Sequence, residues 1–189
     1  DREAHDEVIQ IMQEEKASEA GGVLHCFSGD LAMARKCVDM GFYISFAGPL
    51  TYPKNESLRS VAEALPIDVM LVETDSPYLS PQGWRGKRCE PAYVRTTAEK
   101  LAEIKGLTLE DVARITSLNA WRLFGIGNID QSSRIAYVIR NSLYLNITNR
   151  CTNSCTFCAK FNDFTVKGHQ LCLQSEPELD EVLAAIGDP

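Results

Sequence analysis

Three cysteines in close succession are the residues of this sequence best suited to chemistry. Cys151, Cys155 and Cys158 form a C-x-x-x-C-x-x-C segment directly after the strand-like run 143–148. Three thiolates can hold three irons of a 4Fe-4S cluster and leave the fourth iron open to a small ligand. The spacing therefore predicts an iron-sulfur cluster whose open iron is the reactive position.

A structural zinc site is the alternative for the same thiols. Zinc needs a fourth ligand, and His169 or Cys172 could supply it. Common zinc sites combine a C-x-x-C pair with a second pair of ligands, which this sequence lacks. We therefore favour an iron-sulfur cluster over zinc.

A second polar group lies at the ends of three predicted strands. His25, Ser45 and the triplet Glu73-Thr74-Asp75 fall where parallel barrels place their active groups. A histidine and a carboxylate on different strands converge across the mouth of such a barrel and suit a divalent metal. Two alternatives stay open: His25 is a packed polar residue, and Glu73 is a buried charge paired with Arg88 or Lys87.

The composition narrows the class of protein. Of 189 residues, 44% are hydrophobic and 24% are charged, as in ordinary globular proteins. The formal charge of −7 excludes a generic binder of polyanions, so nucleic acid would be contacted locally or through metal ions held by carboxylates. No apolar run approaches the roughly 18 residues that span a bilayer, and no secretory signal is present. Seven cysteines at irregular spacings predict reduced thiols in a cytoplasmic protein without membrane contact.

Helical and strand patterns alternate along residues 1–127. The predicted helices cover 4–17, 31–40, 56–64, 92–105 and 109–118, and the predicted strands cover 23–27, 42–47 and 68–75. Because the strands are nearly continuous apolar runs, we expect a parallel sheet covered by helices.

A second domain is predicted beyond a polar linker. The linker covers 128–133, and the domain covers 134–189 with strands over 135–139 and 143–148 and a final helix from Glu176. The residues at both ends lead us to expect that the sequence belongs to a longer chain.

Capping patterns predict where several helices begin and end. The predicted caps are Asp30 and Asn55 as N-caps, Thr108 with Asp111 and Ser175 with Glu178 as capping boxes, and Gly106 as a helix stop.

Several segments of residues 1–127 resemble the TatD family of metal-dependent deoxyribonucleases. The segments are 24–29 (LHCFSG), 73–79 (ETDSPYL), 85–91 (RGKRCEP), Asn119-Ala120 and Leu123-Phe124. The resemblance implies the C-terminal part of a TIM-type (β/α) barrel of the amidohydrolase kind, with two divalent ions (Mg, Mn or Zn). It implies that His25 is a metal ligand, and that Asp75 is a metal ligand and the base that activates water.

The other ligands of that family have no counterparts in this sequence. The family's H-x-H on the first strand, glutamate on the fourth and histidine on the fifth are missing, and His5 lies on a helix and does not replace them. We therefore expect this part of the barrel to be inactive alone.

The loop after the last barrel strand carries the densest positive charge. Arg85, Lys87 and Arg88 are candidates for contacts with the phosphates of DNA, single-stranded or at its ends; the alternative is a solvated charged loop. Trp84 would stack on an unpaired base or anchor the loop. Cys89 departs from the asparagine that is usual in the family.

Residues from about 134 resemble radical S-adenosylmethionine proteins of the type linked to TatD. The resemblance implies that Cys151, Cys155 and Cys158 hold the 4Fe-4S cluster and that its open iron chelates S-adenosylmethionine. Phe157 would lie near the adenine, and an electron donor would supply the electron that cleaves the sulfonium. The segment would form the first strands and helix of a second α/β barrel.

Three polar residues precede and enter the cysteine loop. Asn146, Asn149 and Arg150 would either donate hydrogen bonds around the cluster or only shape the turn.

Two other functions stay open. One is a zinc-binding module without catalytic activity, and the other is a barrel that hydrolyses a different bond, such as an amide or a lactone. The basic loop favours a phosphodiester over the latter.

Overall fold

The computed structural model describes residues 4–126, 132–150, 159 and 164–187. The chain divides into two compact units, residues 1–126 and 127–189. The predicted cluster residues Cys151, Cys155 and Cys158, together with Phe157, lie outside the described residues.

Six helices and seven strands make up the described regular structure. The helices are α1 His5–Glu14, α2 Leu31–Asp39, α3 Glu56–Ala64, α4 Val94–Lys105, α5 Leu109–Phe124 and α6 Leu179–Gly187. The strands are β1 Gly22–Leu24, β2 Phe42–Phe46, β3 Met70–Val72, β4 Ala136–Ile139, β5 Ser142–Leu145, β6 Thr165–Val166 and β7 His169–Gln170. Of the helices in these ranges, none has the length and apolar character to cross a bilayer.

The first unit contains the predicted parallel sheet. Its order is β1-β2-β3, and Ile44 at the centre lies opposite Leu24 on one side and Met70 on the other. Helices α2 and α3 connect the successive strands, as parallel pairing requires. The sheet covered by helices is therefore confirmed, although β3 is shorter than predicted because residues 67–69 form a 3-10 turn.

The two faces of this sheet have different surroundings. Ile44, Phe46 and Met70 are fully buried in the core against the helices. On the opposite face, Val23 and Leu71 line a cavity of about 530 Å³ together with residues of α4 and α5. One face of the sheet thus packs directly against helices, and a cavity separates part of the other face from α4 and α5.

The predicted caps divide into three that are confirmed and two that are wrong. Asp30 Oδ1 accepts a hydrogen bond from Met33 N at 2.8 Å, Thr108 and Asp111 form the reciprocal capping box, and Gly106 ends α4 at φ 60°. Asn55 does not cap α3, because its amide donates to Pro49 O at 3.0 Å instead.

The second wrong cap belongs to the last helix. This helix begins at Leu179, three residues beyond the predicted start at Glu176. Ser175 therefore lies outside its first turn, and Glu178 N donates to Glu181 Oε2 at 2.8 Å.

The second unit begins with an antiparallel hairpin. Strands β4 and β5 pair with Tyr137 opposite Tyr144, and their rings stack at 5.5 Å between centroids. The second strand ends at Leu145 rather than at 148. Asn146 N still donates to Ile135 O at 2.7 Å in the same register, and the Asn146 side chain donates to Arg134 O at 3.0 Å. A small antiparallel hairpin of β6 and β7 precedes α6 in the sequence.

Candidate metal centre

His25 and Asp75 line the same cavity in the first unit. The cavity has a volume of about 460 Å³ and opens at the ends of β1 and β3. Phe27, Pro49 and Leu79 form part of its apolar wall. The parallel pairing of β1, β2 and β3 places these ends at one edge of the sheet, as the sequence analysis expected for the two side chains.

Glu73 joins the ends of the three strands through its carboxylate. Its Oε1 accepts a hydrogen bond from Cys26 N at 2.7 Å, and its Oε2 accepts one from Ser45 Oγ at 2.6 Å. The alternative that Glu73 pairs with Arg88 or Lys87 is therefore wrong. Both carboxylate oxygens are already satisfied inside the sheet edge, where 24% of the side chain is exposed.

The imidazole of His25 extends outwards beside this carboxylate. Its Nδ1 lies 3.5 Å from Glu73 Oε1, and 72% of the side chain is exposed. The chain bends directly afterwards, because Cys26 adopts φ 46° before Phe27 N resumes pairing with Ser45 O at 3.0 Å. A proton on Nδ1 would leave Nε2 as the atom available to a metal.

Asp75 lies in a tight turn that follows β3. Tyr78 N donates to Asp75 O at 2.7 Å, and Ser76 Oγ donates to Thr74 Oγ1 at 3.0 Å. The next residues pass directly over Gly48, where a Cβ would stand 3.0 Å from Pro81 N. The turn is thus held from within, and the residues after it pack against Gly48 in the 3-10 turn that follows β2, which limits where the carboxylate of Asp75 can lie.

Negative charge accumulates around the Cys26 thiol. Burial raises the pKa of Cys26 to about 11, with further contributions from the nearby carboxylates of Asp75 and Glu73. Two carboxylates close to one half-buried position create a local field that attracts cations. The site therefore has the electrostatic character that a divalent ion requires.

The basic loop is fixed by its backbone and leaves its charges in solvent. Ser80 Oγ donates to Lys87 O at 2.7 Å, and Cys89 N donates to Pro77 O at 3.0 Å. Arg85, Lys87 and Arg88 are exposed. Within the part of the chain that the structure describes, none of the three forms an ion pair.

Aromatic side chains support this loop from within. Trp84 stacks on Tyr93 with 4.5 Å between ring centroids, so the structure places Trp84 as an anchor of the loop. The guanidinium of Arg85 lies 4.5 Å from the centroid of the Tyr52 ring. Tyr52 Oη donates to Ser80 O at 2.9 Å, and burial raises the pKa of this phenol. Cys89 is buried.

The donor set fits part of a divalent metal site. An imidazole with Nδ1 beside a carboxylate, and a second carboxylate in the same cavity, are ligand types that Zn²⁺ and Mn²⁺ accept. No cluster of three or more His, Cys, Asp or Glu side chains suited to a metal occurs among the described residues. His25 and Asp75 are therefore candidates for two ligands of such a site.

The polar residues next to the cysteine loop bind the backbone of their own unit. Asn146 Nδ2 donates to Arg134 O and Leu171 O at 3.0 and 2.9 Å, and Asn149 exchanges two hydrogen bonds with Leu173. Arg150 pairs with Glu176. These contacts join the residues that precede the cysteine loop to the segment 171–176.

The two candidate fourth ligands for zinc lie in the same unit. His169 Nε2 lies 3.3 Å from Val138 O, and its ring lies 4.7 Å from that of Tyr137. Cys172 is an exposed free thiol. The described cysteines of the first unit, Cys26, Cys37 and Cys89, are also free thiols.

The carboxylate contacts of Glu73 with Ser45 and Cys26 were missed by the sequence analysis. Both residues lie at strand ends, and Ser45 is a polar residue in an otherwise apolar run. That interruption was the signal available in the sequence, because a hydroxyl in a buried strand needs a hydrogen-bond partner. The structure confirms the burial, since Ser45 is 1% exposed.

Comparison with known proteins identifies the class to which this fold and site belong. The family model for TatD-related DNases matches residues 1–125. An uncharacterized metal-dependent hydrolase of Bacillus subtilis, YabD, is 46% identical over 125 residues, which cover 66% of this chain and 49% of that protein. An uncharacterized metal-dependent hydrolase of Escherichia coli, YcfH, is 49% identical over 125 residues. The matched segment covers 66% of this chain and 47% of YcfH.

A solved structure of a TatD homolog is also similar to the first part of this chain. The Escherichia coli TatD homolog YJJV superimposes with a TM-score of 0.63 at 28% identity, over 67% of this chain and 48% of that one. The fold of the first unit is therefore the α/β fold of TatD-like TIM-type barrels. The chain belongs to the TatD-related DNase family, and it spans about half the length of the curated relatives that it matches.

Proposed function

We propose that the first unit provides His25 and Asp75 to the metal site of a phosphodiester hydrolase that acts on DNA. The observation that carries the proposal is that both side chains line one cavity at the edge of the sheet. Family membership supports it, because the matching model is that of TatD-related DNases. The implied metals are two divalent ions of Mg, Mn or Zn.

The residues of this unit divide the chemistry between them. Bound divalent ions lower the pKa of water and neutralise negative charge that develops on a phosphodiester. The neutral imidazole of His25 offers Nε2 as a ligand, and Asp75 offers one carboxylate oxygen as a ligand. The second oxygen of Asp75 orients the attacking water and accepts its proton.

The basic loop supports DNA as the substrate. Arg85, Lys87 and Arg88 present three solvated cations on a loop that Cys89 ties to Pro77, two residues beyond Asp75. Such side chains bind phosphates and position a nucleic acid without reading its sequence. We propose that they contact the phosphates that flank the bond to be cleaved in single strands or at duplex ends.

A chimeric protein tests the proposed activity. Residues 1–125 of this chain would be joined to the part of Bacillus subtilis YabD that the match does not cover, since the shared part is 46% identical. We expect hydrolysis of single-stranded DNA that requires a divalent ion. Asp75→Asn and His25→Ala should each lower kcat/KM by about 1000-fold, because several kcal/mol of transition-state stabilisation depend on the metal.

Asp39→Asn is the matched control for this experiment. Asp39 is an exposed aspartate at the end of α2, and its substitution should leave kcat/KM unchanged. Unchanged hydrolysis of DNA in Asp75→Asn would contradict the proposal. Hydrolysis of an amide or a lactone without hydrolysis of DNA would instead favour another reaction of the amidohydrolase kind.

For the second unit we propose a 4Fe-4S cluster on Cys151, Cys155 and Cys158, with S-adenosylmethionine at its open iron and Phe157 near the adenine. The three-thiol spacing supports the cluster, and the resemblance to radical S-adenosylmethionine proteins is the ground for S-adenosylmethionine and for the place of Phe157. An electron donor would reduce the cluster. In this proposal, residues 1–127 and 134–189 are separate domains joined by a linker over 128–133.

Anaerobic reconstitution with iron and sulfide tests the cluster. A brown protein with broad absorbance near ~400 nm and about four irons per chain is the expected result. Cys155→Ala should lose the colour, whereas Cys172→Ala should keep it. A colourless protein that holds one zinc would favour the non-catalytic zinc module.

A further inference from the structure

Glu73 makes contacts that go beyond what a structural carboxylate at a strand end needs. Its backbone N donates to Phe46 O at 3.0 Å, and its two oxygens accept from Cys26 N and Ser45 Oγ. The carboxylate is therefore held at two points, by Ser45 of β2 and by Cys26 after β1, while the backbone of Glu73 pairs with β2. The Nδ1 atom of His25 lies 3.5 Å from Oε1.

We propose that Glu73 is a positioning residue for His25: its carboxylate favours the imidazole proton on Nδ1 and thereby keeps the lone pair on Nε2. The inference rests on the proposed function only in assigning the role of metal ligand to His25. Each Glu73 oxygen accepts one hydrogen bond from the sheet edge, and Oε1 is the oxygen that lies beside His25.

Imidazole chemistry explains why a carboxylate is needed at this position. A neutral imidazole carries one proton, and the hydrogen bond that one nitrogen makes decides which nitrogen stays free for a metal. His25 is 72% exposed, so few contacts other than Glu73 restrain its ring. A neutral group in place of Glu73 would weaken the preference for a proton on Nδ1, because hydrogen bonds to an ionised acceptor are about twice as strong.

The bend at Cys26 strengthens the same arrangement. Cys26 has φ 46°, a conformation that side chains rarely adopt, and its N–H is directed to Glu73 Oε1 at 2.7 Å. The carboxylate thus binds the backbone that follows His25 and lies beside the ring of His25. The Glu73 side chain therefore contacts both the backbone next to His25 and the side of the imidazole that carries Nδ1.

Nitrogen NMR of the metal-free 189-residue chain tests the inference. The chain has three histidines, so ¹⁵N-histidine labelling with His25→Ala for assignment resolves the ring of His25. At about pH 8.5, where imidazole is neutral, we expect the Nδ1–H tautomer in the wild-type chain. Glu73→Gln keeps the shape and an oxygen for Cys26 N but removes the charge, and it should shift His25 towards the Nε2–H tautomer.

Ser45→Ala is the matched control. It removes the other hydrogen bond of the carboxylate and leaves the charge beside His25, so it should lower stability without changing the tautomer. If Glu73→Gln does not fold, Glu73→Asp decides, because it withdraws the carboxylate by about 1.5 Å and should shift the tautomer as well. A folded Glu73→Gln or Glu73→Asp chain with the wild-type tautomer would overturn the inference.

Cobalt binding to the chimeric protein described above, whose part from this chain ends before Cys151, separates this inference from the proposed function. If His25 is a ligand, Glu73→Gln should weaken Co²⁺ binding by about 10- to 100-fold, as the loss of an outer-shell partner does. Unchanged Co²⁺ binding in His25→Ala would reject the ligand role, while the tautomer measurement would still decide the positioning by Glu73.

Discussion

The carbonyl oxygen of Leu79 occupies the place where a side chain at Gly48 would begin. A Cβ at residue 48 would overlap Leu79 O and would stand 3.0 Å from Pro81 N. Both are backbone atoms of the segment that follows Asp75, so they cannot move aside as a flexible side chain can. The absence of a side chain at Gly48 is therefore a condition for the present path of the chain after Asp75.

Gly48→Ala is expected to destabilise the first unit by about 1–3 kcal/mol, the usual cost of forcing extra atoms into a packed site. Urea unfolding followed by tryptophan fluorescence measures this change. Gly83→Ala is the matched control, because a Cβ there meets nothing within 4 Å. Equal stability of the two variants would show that the segment after Asp75 adapts to a side chain at residue 48.

Asn119 should be a second point of high sensitivity. It is fully buried on α5, and its Nδ2 donates to Ile67 O at 2.9 Å and to Met70 O at 2.8 Å. Asn119→Ala leaves two buried carbonyls without this donor and should cost roughly 2–4 kcal/mol. Asn119→Asp should cost more, because a carboxylate oxygen would face the same carbonyls.

Thermal and urea unfolding of both Asn119 variants check this prediction. Ser117→Ala on the exposed side of the same helix should change the free energy of unfolding by no more than about 0.5 kcal/mol. Asn119→Ala with wild-type stability would mean that the two hydrogen bonds do not hold α5 on β3.

The basic loop should determine the salt dependence of DNA binding. For single strands, each phosphate contact that is lost lowers the slope of log K against log salt by about 0.7. In the chimeric protein, Lys87→Ala and Arg88→Ala should each lower the slope by about this amount, with little dependence on sequence. Arg35→Ala, an exposed arginine on α2, is the control and should leave the slope unchanged.

Binding titrations with fluorescent single-stranded DNA at several salt concentrations give this slope. A slope that stays the same in Lys87→Ala and Arg88→Ala would favour the alternative of a solvated charged loop.

Glu176 should make the second unit sensitive to acid. Hydrogen bonds from Arg150 and then from Thr148 lower the pKa of Glu176 from 4.5 to about 2. Because the folded-state pKa is below the unfolded one, the pair stabilises the fold above pH 4.5 and loses this contribution as the pH falls towards 2. Glu176→Gln should remove the pH dependence in this window.

The ring signals of Tyr137 and Tyr144 in proton NMR report on the unit that contains this pair, since the two rings stack in the hairpin. Glu178→Gln, an exposed neighbour, should keep the wild-type pH dependence. The same acid response in Glu176→Gln and in the wild-type chain would contradict the prediction.

Sequence patterns predicted most elements of the first unit because local chemistry determines them. The Asp30 cap depends on a side chain that reaches its own helix, and the three parallel strands follow from apolar runs separated by helices. Asn55 shows where this fails. Its amide can reach either the helix that it precedes or Pro49 O, and packing of the 3-10 turn before it decides between them.

The site shows the same division. Residue types and motifs in the sequence indicated that His25 and Asp75 are chemically active and indicated the family, because such motifs consist of short local segments. Only the tertiary structure showed that Glu73 binds Ser45 and Cys26 instead of Arg88 or Lys87. These partners lie 28 and 47 positions away in sequence, and only the pairing of three parallel strands brings them to one edge.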